Sequence, residues 1–469
     1  MLRLFILMIF CLCIAVPAAA ADKTLPEWAV LLYMFGQDRT TYSNARKNAA
    51  LLEQTGSTEK TQILLELGLD EKHGNSSHYD ADPKTIRRYL IKKADASAAE
   101  NSDGLRSAPE YENSGVDMYL MEDLGDFIKW AKEKHPAKHY MLMLWSSYTN
   151  TPLRCMSACY AYREHIPAIA AAKEIKSAGG VDVIAIDSNG LQSADWLYEM
   201  QGTAKYAVGT ESSLIVSGYS YEKLFEALNG DSITPLKAAE AVAYAYVANT
   251  EAETNERDSK FSSFSSTQGY SQSVVDMAQL SALKKKTEAF AKAVMASGKK
   301  EQALEILKKS LYFKDSRPSR HDFSPYAADI YDFADEAEKN CADKKIISAA
   351  KALKEQINKT VLLNLKKDSE SMWNDDMNIP FSRSGGIAVS LPRSERRYFH
   401  NFKWNKESGT WDKFRKWIYS LENSGSTNKG TPFSHSPCVS NTVTGTPGYY
   451  SCGKNAGKMD KAYGIKSEN

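Results

Sequence analysis

An excess of charge of either sign is missing from this chain: 59 Lys and Arg stand against 58 Asp and Glu over 469 residues, a formal net charge of +1. A balance this close leaves no electrostatic footprint for nucleic acid and none for a polyacidic substrate. Internal repeats are missing too, which excludes solenoids and propellers. Beyond Val16 no stretch is long and apolar enough to cross a bilayer. Cysteine is scarce, with seven in all, and Cys11 and Cys13 lie within the amino-terminal apolar run. Neither is preceded by the small residues of a lipoprotein signal, so lipid anchoring is not expected there.

What is present begins with that run. Arg3 precedes an apolar segment from Leu4 to Val16, followed by Pro17 and Ala18-Ala19-Ala20-Ala21. A short apolar core before a small-residue cleavage site reads as a secretory signal peptide over residues 1–21, with a retained anchor as the competing reading. The expected location is across the cytoplasmic membrane, periplasmic or extracellular, with no stable span after cleavage. Five cysteines then remain. In an oxidising compartment the natural pairs are Cys155 with Cys159 and Cys438 with Cys452, leaving Cys341 on a predicted helix. Cys438 and Cys452 bracket a polar tail loop that has little else to hold it together.

A hydrophobic content of 43% is enough for a large core, roughly two to three domains' worth of chain. Ala29 to Met34 reads as a strand, Thr41 to Gln54 as a helix and Gln62 to Leu67 as a second strand, a βαβ opening that implies a parallel sheet. Asp95 to Val116 is polar and reads as a surface loop. A helix over Leu120 to Lys134 puts Leu124, Phe127, Ile128 and Ala131 on one face. The strand His139 to Trp145 runs into Ser146-Ser147-Tyr148; after a loop and a helix over Ile166 to Ser177, the strand Val181 to Ile186 runs into Asp187-Ser188-Asn189-Gly190. Sheets of this kind place chemistry at the carboxyl ends of their strands. A helix over Ser193 to Gln201 and a strand over Tyr206 to Gly209 follow. Pro235 to Leu365 reads as almost wholly helical, with Lys284-Lys285-Lys286 on a solvated face, and Gly386 to Pro392 as the strand that finishes the sheet. From Glu422 the composition is that of a weakly ordered tail.

These strands and strand ends resemble the clostripain family of cysteine peptidases, whose fold is caspase-like. Trp28 to Met34 is similar to the family's Trp-Thr-Val-Leu-Val-Tyr-Met. In the family the later strands continue as Leu-Trp-(Asp or Asn)-His-Gly and Asp-Ala-Cys-Leu-Met; Leu144, Trp145 and Asp187 match, but the catalytic His falls on Ser147 and the nucleophilic Cys on Asn189. Asn offers no ionisable nucleophile, and Ser is no base near neutral pH. Gly209-Thr210-Glu211-Ser212 stands where the family has Gly-Ser-Glu-Glu, and an acidic residue in the following Asp-Gly-Trp turn falls on Ser217. The resemblance also takes in Ser271 to Asp276, Tyr326 to Phe333, Gly386 to Pro392 and Trp411 to Leu421, and so covers residues 27–420. It implies an α/β, caspase-like, mostly parallel central sheet flanked by helices, with a helical insertion before the last strand. The domains implied are a core over 22–235, the insertion over 236–380, a last core strand and helix over 381–421 and a tail over 422–469.

The implied site has no intact catalytic dyad, and its substrate-binding candidates are Asp187, Trp145, Glu211 and Ser217. In the family the position of Asp187 contributes to binding the Arg or Lys before the scissile bond; an Asp at a strand end also serves as a turn or helix cap. A dyad rebuilt from Cys155, Cys159 and His165 draws all its members from one loop. Ser147 and Ser188 have no histidine beside them at either strand end. His73 and His78, with Asp70, Glu71 and Asp80, fit no transition-metal spacing, so no metal or other cofactor is expected, and calcium enters through the resemblance alone. The expectation is a noncatalytic scaffold for an unidentified peptide or protein partner. A hydrolase cleaving after Arg or Lys through a rearranged site and a structural envelope component are the alternatives.

Overall fold

Every residue of the strand Trp28–Met34 is buried. Trp28, Val30, Leu32 and Met34 enter one apolar layer, while Ala29, Leu31 and Tyr33 enter another. That period of two marks a strand covered on both faces. The structure is a computed structural model and describes residues 25–36, 39–69, 85–116, 118, 121–145, 166–187, 192–212, 218–260, 266–267, 269–314, 325–371, 378–391 and 402–420.

The described strands in chain order are β1 (Trp28–Met34), β2 (Thr61–Leu69), β3 (Thr85–Leu90), β4 (Pro109–Ser114), β5 (His139–Trp145), β6 (Val183–Asp187), β7 (Tyr206–Thr210), β8 (Ser266–Thr267), β9 (Tyr270–Asp276), β10 (Tyr312–Lys314), β11 (Pro325–Asp329), β12 (Val361–Lys367), β13 (Glu370–Ser371) and β14 (Ala388–Ser390). Nine form a central sheet in the order β12-β9-β7-β6-β5-β1-β2-β3-β4. Its middle, β7-β6-β5-β1-β2, is parallel, and an antiparallel pair extends each edge. Helices Arg39–Thr55, Tyr221–Leu228 and Pro235–Lys260 cover the face that bears Trp28. Glu122–Lys134, Ile166–Ser177, Leu280–Ala296, Ile330–Asn340, Lys344–Thr360 and Thr410–Tyr419 are among those covering the other. The expected α/β sheet flanked by helices is present.

Several elements differ from the sequence reading. The polar stretch before Val116 contains β4, an edge strand exposed at every position, so no burial imposes an alternating pattern on it. The stretch from Pro235 to Leu365 is not almost wholly helical: β9 and β12 lie within it and form one edge of the central sheet. The apolar run near Val389 does form a strand, but β14 pairs with β11 in a three-stranded side sheet and meets the chain near the site through a bridge from Ala388 to Ser193 and a bond from Ser390 N–H to Asp195 Oδ1. A short apolar run announces a strand without naming its partner. Lys284 is not on a solvated face. It is buried, with Nζ 2.5 Å from Glu288 and 3.5 Å from Glu407.

β3 was hidden by its charges. Arg88 is buried opposite Glu66 of β2, donates to its Oε2 at 2.5 Å, and lies over the Tyr111 ring. Burial holds the Glu66 carboxyl well above the usual range, and the nearby Asp123 adds to the effect. Removing one partner of a buried pair leaves an uncompensated charge, so Arg88→Ala is expected to lose about 3–5 kcal/mol in urea unfolding. A loss under about 1 kcal/mol, the range of an exposed pair, would contradict the assigned role.

Candidate functional site at the carboxyl ends of the parallel strands

The chain steps from β1 outward to β2 and later returns on the other side of β1 as β5, so the topological switch lies between β1 and β5. Crevices at such points are where open α/β sheets bind ligands. Trp145 ends β5, paired with Met34 on one side and Asp187 on the other, and its carbonyl accepts from Phe35 N–H at 3.3 Å. Trp145 and Asp187, singled out separately in the sequence, are therefore register partners. The Trp145 indole packs in the same apolar layer as Tyr219, Tyr221 and Tyr246.

Asp187 is buried, and burial pushes its carboxyl up to about 7. Its Oδ2 has no hydrogen-bond partner among the described residues. Two tyrosines stand by it. Burial, with the Asp187 charge added, holds the phenols of Tyr219 and Tyr221 well above their usual range. Tyr219 Oη donates to Ile186 O at 3.2 Å and receives Gln272 Nε2 at 2.6 Å. Tyr221 Oη and Gln272 Oε1 are buried without a partner among the described residues. A buried acid with a free oxygen and no cation among the described residues has the chemistry of a receptor for a positive group. Capping does not occupy it in the next helix, where Ser193 holds the N-cap position of Ala194–Glu199.

Gly218 lies directly against this carboxyl. With φ at +67°, a Cβ there would fall 2.7 and 2.8 Å from the two Asp187 oxygens, and its carbonyl accepts from Asn249 Nδ2 at 3.0 Å. Gly218→Ala is expected to cost about 1–3 kcal/mol through its left-handed backbone and to weaken any cation binding at Asp187. Unchanged stability and unchanged binding in calorimetry would remove Gly218 from the site.

Glu211, the third candidate, turns elsewhere. It is buried just beyond β7, and its Oε2 accepts from Ser271 Oγ at 2.9 Å and Ser384 Oγ at 2.5 Å. Those bonds tie it to β9 of the central sheet and to the segment that leads into β14. Gln192 pins the chain where it re-enters the sheet: its N–H donates to Thr210 O at 3.1 Å and its amide to Ser273 O and Oγ at 3.2 and 2.9 Å. Ser147, Asn189, Ser217, Ser188, Cys155, Cys159, His165, Cys438, Cys452 and the His73–His78 loop lie outside the described residues. Cys341 follows helix Ile330–Asn340 as a free thiol. No cluster of three metal-ligating side chains occurs among the described residues, and none of their helices is long and apolar enough to cross a membrane. Sequence reasoning missed Gly218, Tyr219, Tyr221 and Gln272 as neighbours of Asp187; the Ser217-Gly218-Tyr219 turn was the one signal pointing there.

The clostripain family's sequence profile matches residues 90–422, more than half of the chain. The chain belongs to the clostripain family. Solved structures agree on the scaffold. An inactive zymogen C11 protease from Parabacteroides distasonis superposes with a TM-score of 0.55 at 14% identity, covering 82% of this chain and 98% of that one. A secreted C11 cysteine protease from Bacteroides thetaiotaomicron, in complex with an irreversible peptide inhibitor, gives 0.54 at 16% identity, with 82% and 99% covered. At such identities the likeness shows the caspase-like fold of this clostripain-family chain. No curated protein matches its sequence.

Proposed function

We propose that this clostripain-family protein is secreted and binds a peptide or protein partner without cleaving it, taking a basic side chain at Asp187. The observation that carries the reading is the Asp187 carboxyl: buried at a central strand end, beside two tyrosines, with one oxygen unpartnered. The ammonium of Lys or the guanidinium of Arg supplies the missing counter-charge and donors. Loss of cleavage rests on the family alignment, which places Ser147 and Asn189 where an imidazole and a thiolate are needed. The secreted relative bound to a peptide inhibitor supports a peptide as the ligand class.

The test uses mature protein and fluorogenic peptides with Arg or Lys before the scissile bond, with and without calcium, alongside a thiol-directed peptide inhibitor. Peptide binding without hydrolysis or labelling is expected, and replacing Arg by citrulline should abolish binding. Turnover together with inhibitor labelling would instead establish a working peptidase. Equal binding of Arg and citrulline peptides would remove Asp187 from recognition. Secretion is tested separately, by sequencing the amino terminus of exported protein for cleavage after residue 21.

A further inference from the structure

We propose that Glu211 and Asp329 share a single proton, and that this proton latches the carboxyl end of β7 to the side sheet of β10, β11 and β14. The two carboxyls come from distant parts of the chain. Glu211 follows β7, whereas Asp329 ends β11 and caps helix Ile330–Asn340. Consecutive residues hold them together: Ser384 Oγ donates to Glu211 Oε2 at 2.5 Å, and Gly385 N–H donates to Asp329 Oδ2 at 2.7 Å. Ser271 Oγ adds a second bond to Glu211 Oε2 at 2.9 Å, and Asp332 N–H bonds Asp329 Oδ1 at 2.7 Å. Glu211 Oε1 is left buried without an N–H or O–H donor among the described residues. The Glu211 and Asp329 side chains are brought within reach of one another by the neighbouring Ser384 and Gly385.

Two carboxylates in contact in a dry site cannot both ionise, so one proton stays with the pair. The charged groups around them offer no substitute. On the 3-10 turn Phe381–Arg383, the Arg383 guanidinium bonds Asp332 at 2.7 and 3.0 Å and Glu336 at 3.2 Å. On β12, Lys366 Nζ donates to Ser384 O at 2.7 Å. Burial raises both carboxyls of the pair, and for Glu211 the Asp329 charge adds to the rise. The sign follows: a raised acid stabilises the fold at low pH, and that contribution is lost as pH climbs through the folded-state value. The latch is therefore closed at low pH and opens as pH rises through the titration of the pair. Opening frees Thr210, whose carbonyl anchors Gln192, and so loosens the strand end beside Asp187.

The test is amide hydrogen exchange at Gly385 and Asp332, expressed as protection over the intrinsic rate at each pH. In the wild-type protein, protection is expected to fall at least about tenfold as pH is raised from about 5 to about 10, while amides of β1 and β5 keep theirs. In Glu211→Gln a fixed amide N–H replaces the shared proton, and protection should stay level with pH. Wild-type protection that does not change with pH overturns the proposal, as does a parallel fall in wild type and variant. Should Glu211→Gln fail to fold, the wild-type profile decides alone.

Discussion

Asparagine at position 187 is expected to make the folded protein more stable above neutral pH while abolishing its hold on a basic side chain. The Asp187 carboxyl is raised from 3.8 to about 7 by burial. A raised acid contributes fully to stability below its unfolded value, and that contribution is lost as pH rises toward the folded value. Across this window the gap amounts to roughly 4 kcal/mol. Asn carries no charge at any pH. The stability difference between variant and wild type should therefore open between about pH 4 and about pH 7 and then level off. Urea unfolding at several pH values reads it. In the same variant, binding of an Arg peptide should weaken by about 2–5 kcal/mol, because the charge that pairs with the guanidinium is gone. Opposite signs for stability and binding are what a buried recognition acid produces, since it is held ready for its ligand at the expense of the unliganded fold. Parallel unfolding curves at all pH values would show that Asp187 is solvated or paired and would remove the basis of the proposed recognition.

Some of this architecture was legible from the sequence for a simple physical reason. β1, β5 and β6 are buried on both faces, so they read as continuous apolar runs, and their carboxyl ends gave Trp145 and Asp187 before any coordinates. Of the strands that escaped notice, β4 is exposed throughout, while β3 and β9 are buried through polar groups. On β9, Ser271, Gln272 and Ser273 are all buried, with partners at Glu211, Tyr219 and Gln192 that lie 60, 53 and 81 residues away. No local periodicity records such partners. The same holds for Arg88 on β3, whose carboxylate partner Glu66 lies 22 residues away. The surroundings of Asp187 were half legible: its acid was evident, while Tyr219, Tyr221 and Gly218 reach it from beyond β7 by tertiary packing.

The other large effect is expected from placing an imidazole and a thiol at the two positions that the proposed family alignment assigns to the dyad. Ser147→His combined with Asn189→Cys should give a thiol that a peptide-based, thiol-directed inhibitor labels roughly 10²–10⁴ times faster than Asn189→Cys alone. The reasoning starts from register. Trp145 and Asp187 are paired neighbours at the ends of adjacent parallel strands, and positions 147 and 189 each follow two residues later in the chain. An imidazole beside a thiol lowers the thiol pKa and supplies the thiolate, the species that attacks the inhibitor. Ser147→His alone introduces no thiol at that position, and Asn189→Cys alone leaves a thiol without its base, so the two single variants bracket the effect. Labelling should further depend on a basic side chain in the inhibitor if Asp187 receives it, so adding Asp187→Asn to the pair should remove that preference while leaving the thiol reactive toward a small alkylating agent. A folded double variant that is labelled no faster than Asn189→Cys would break the alignment on which loss of catalysis rests, whatever the fate of the binding site.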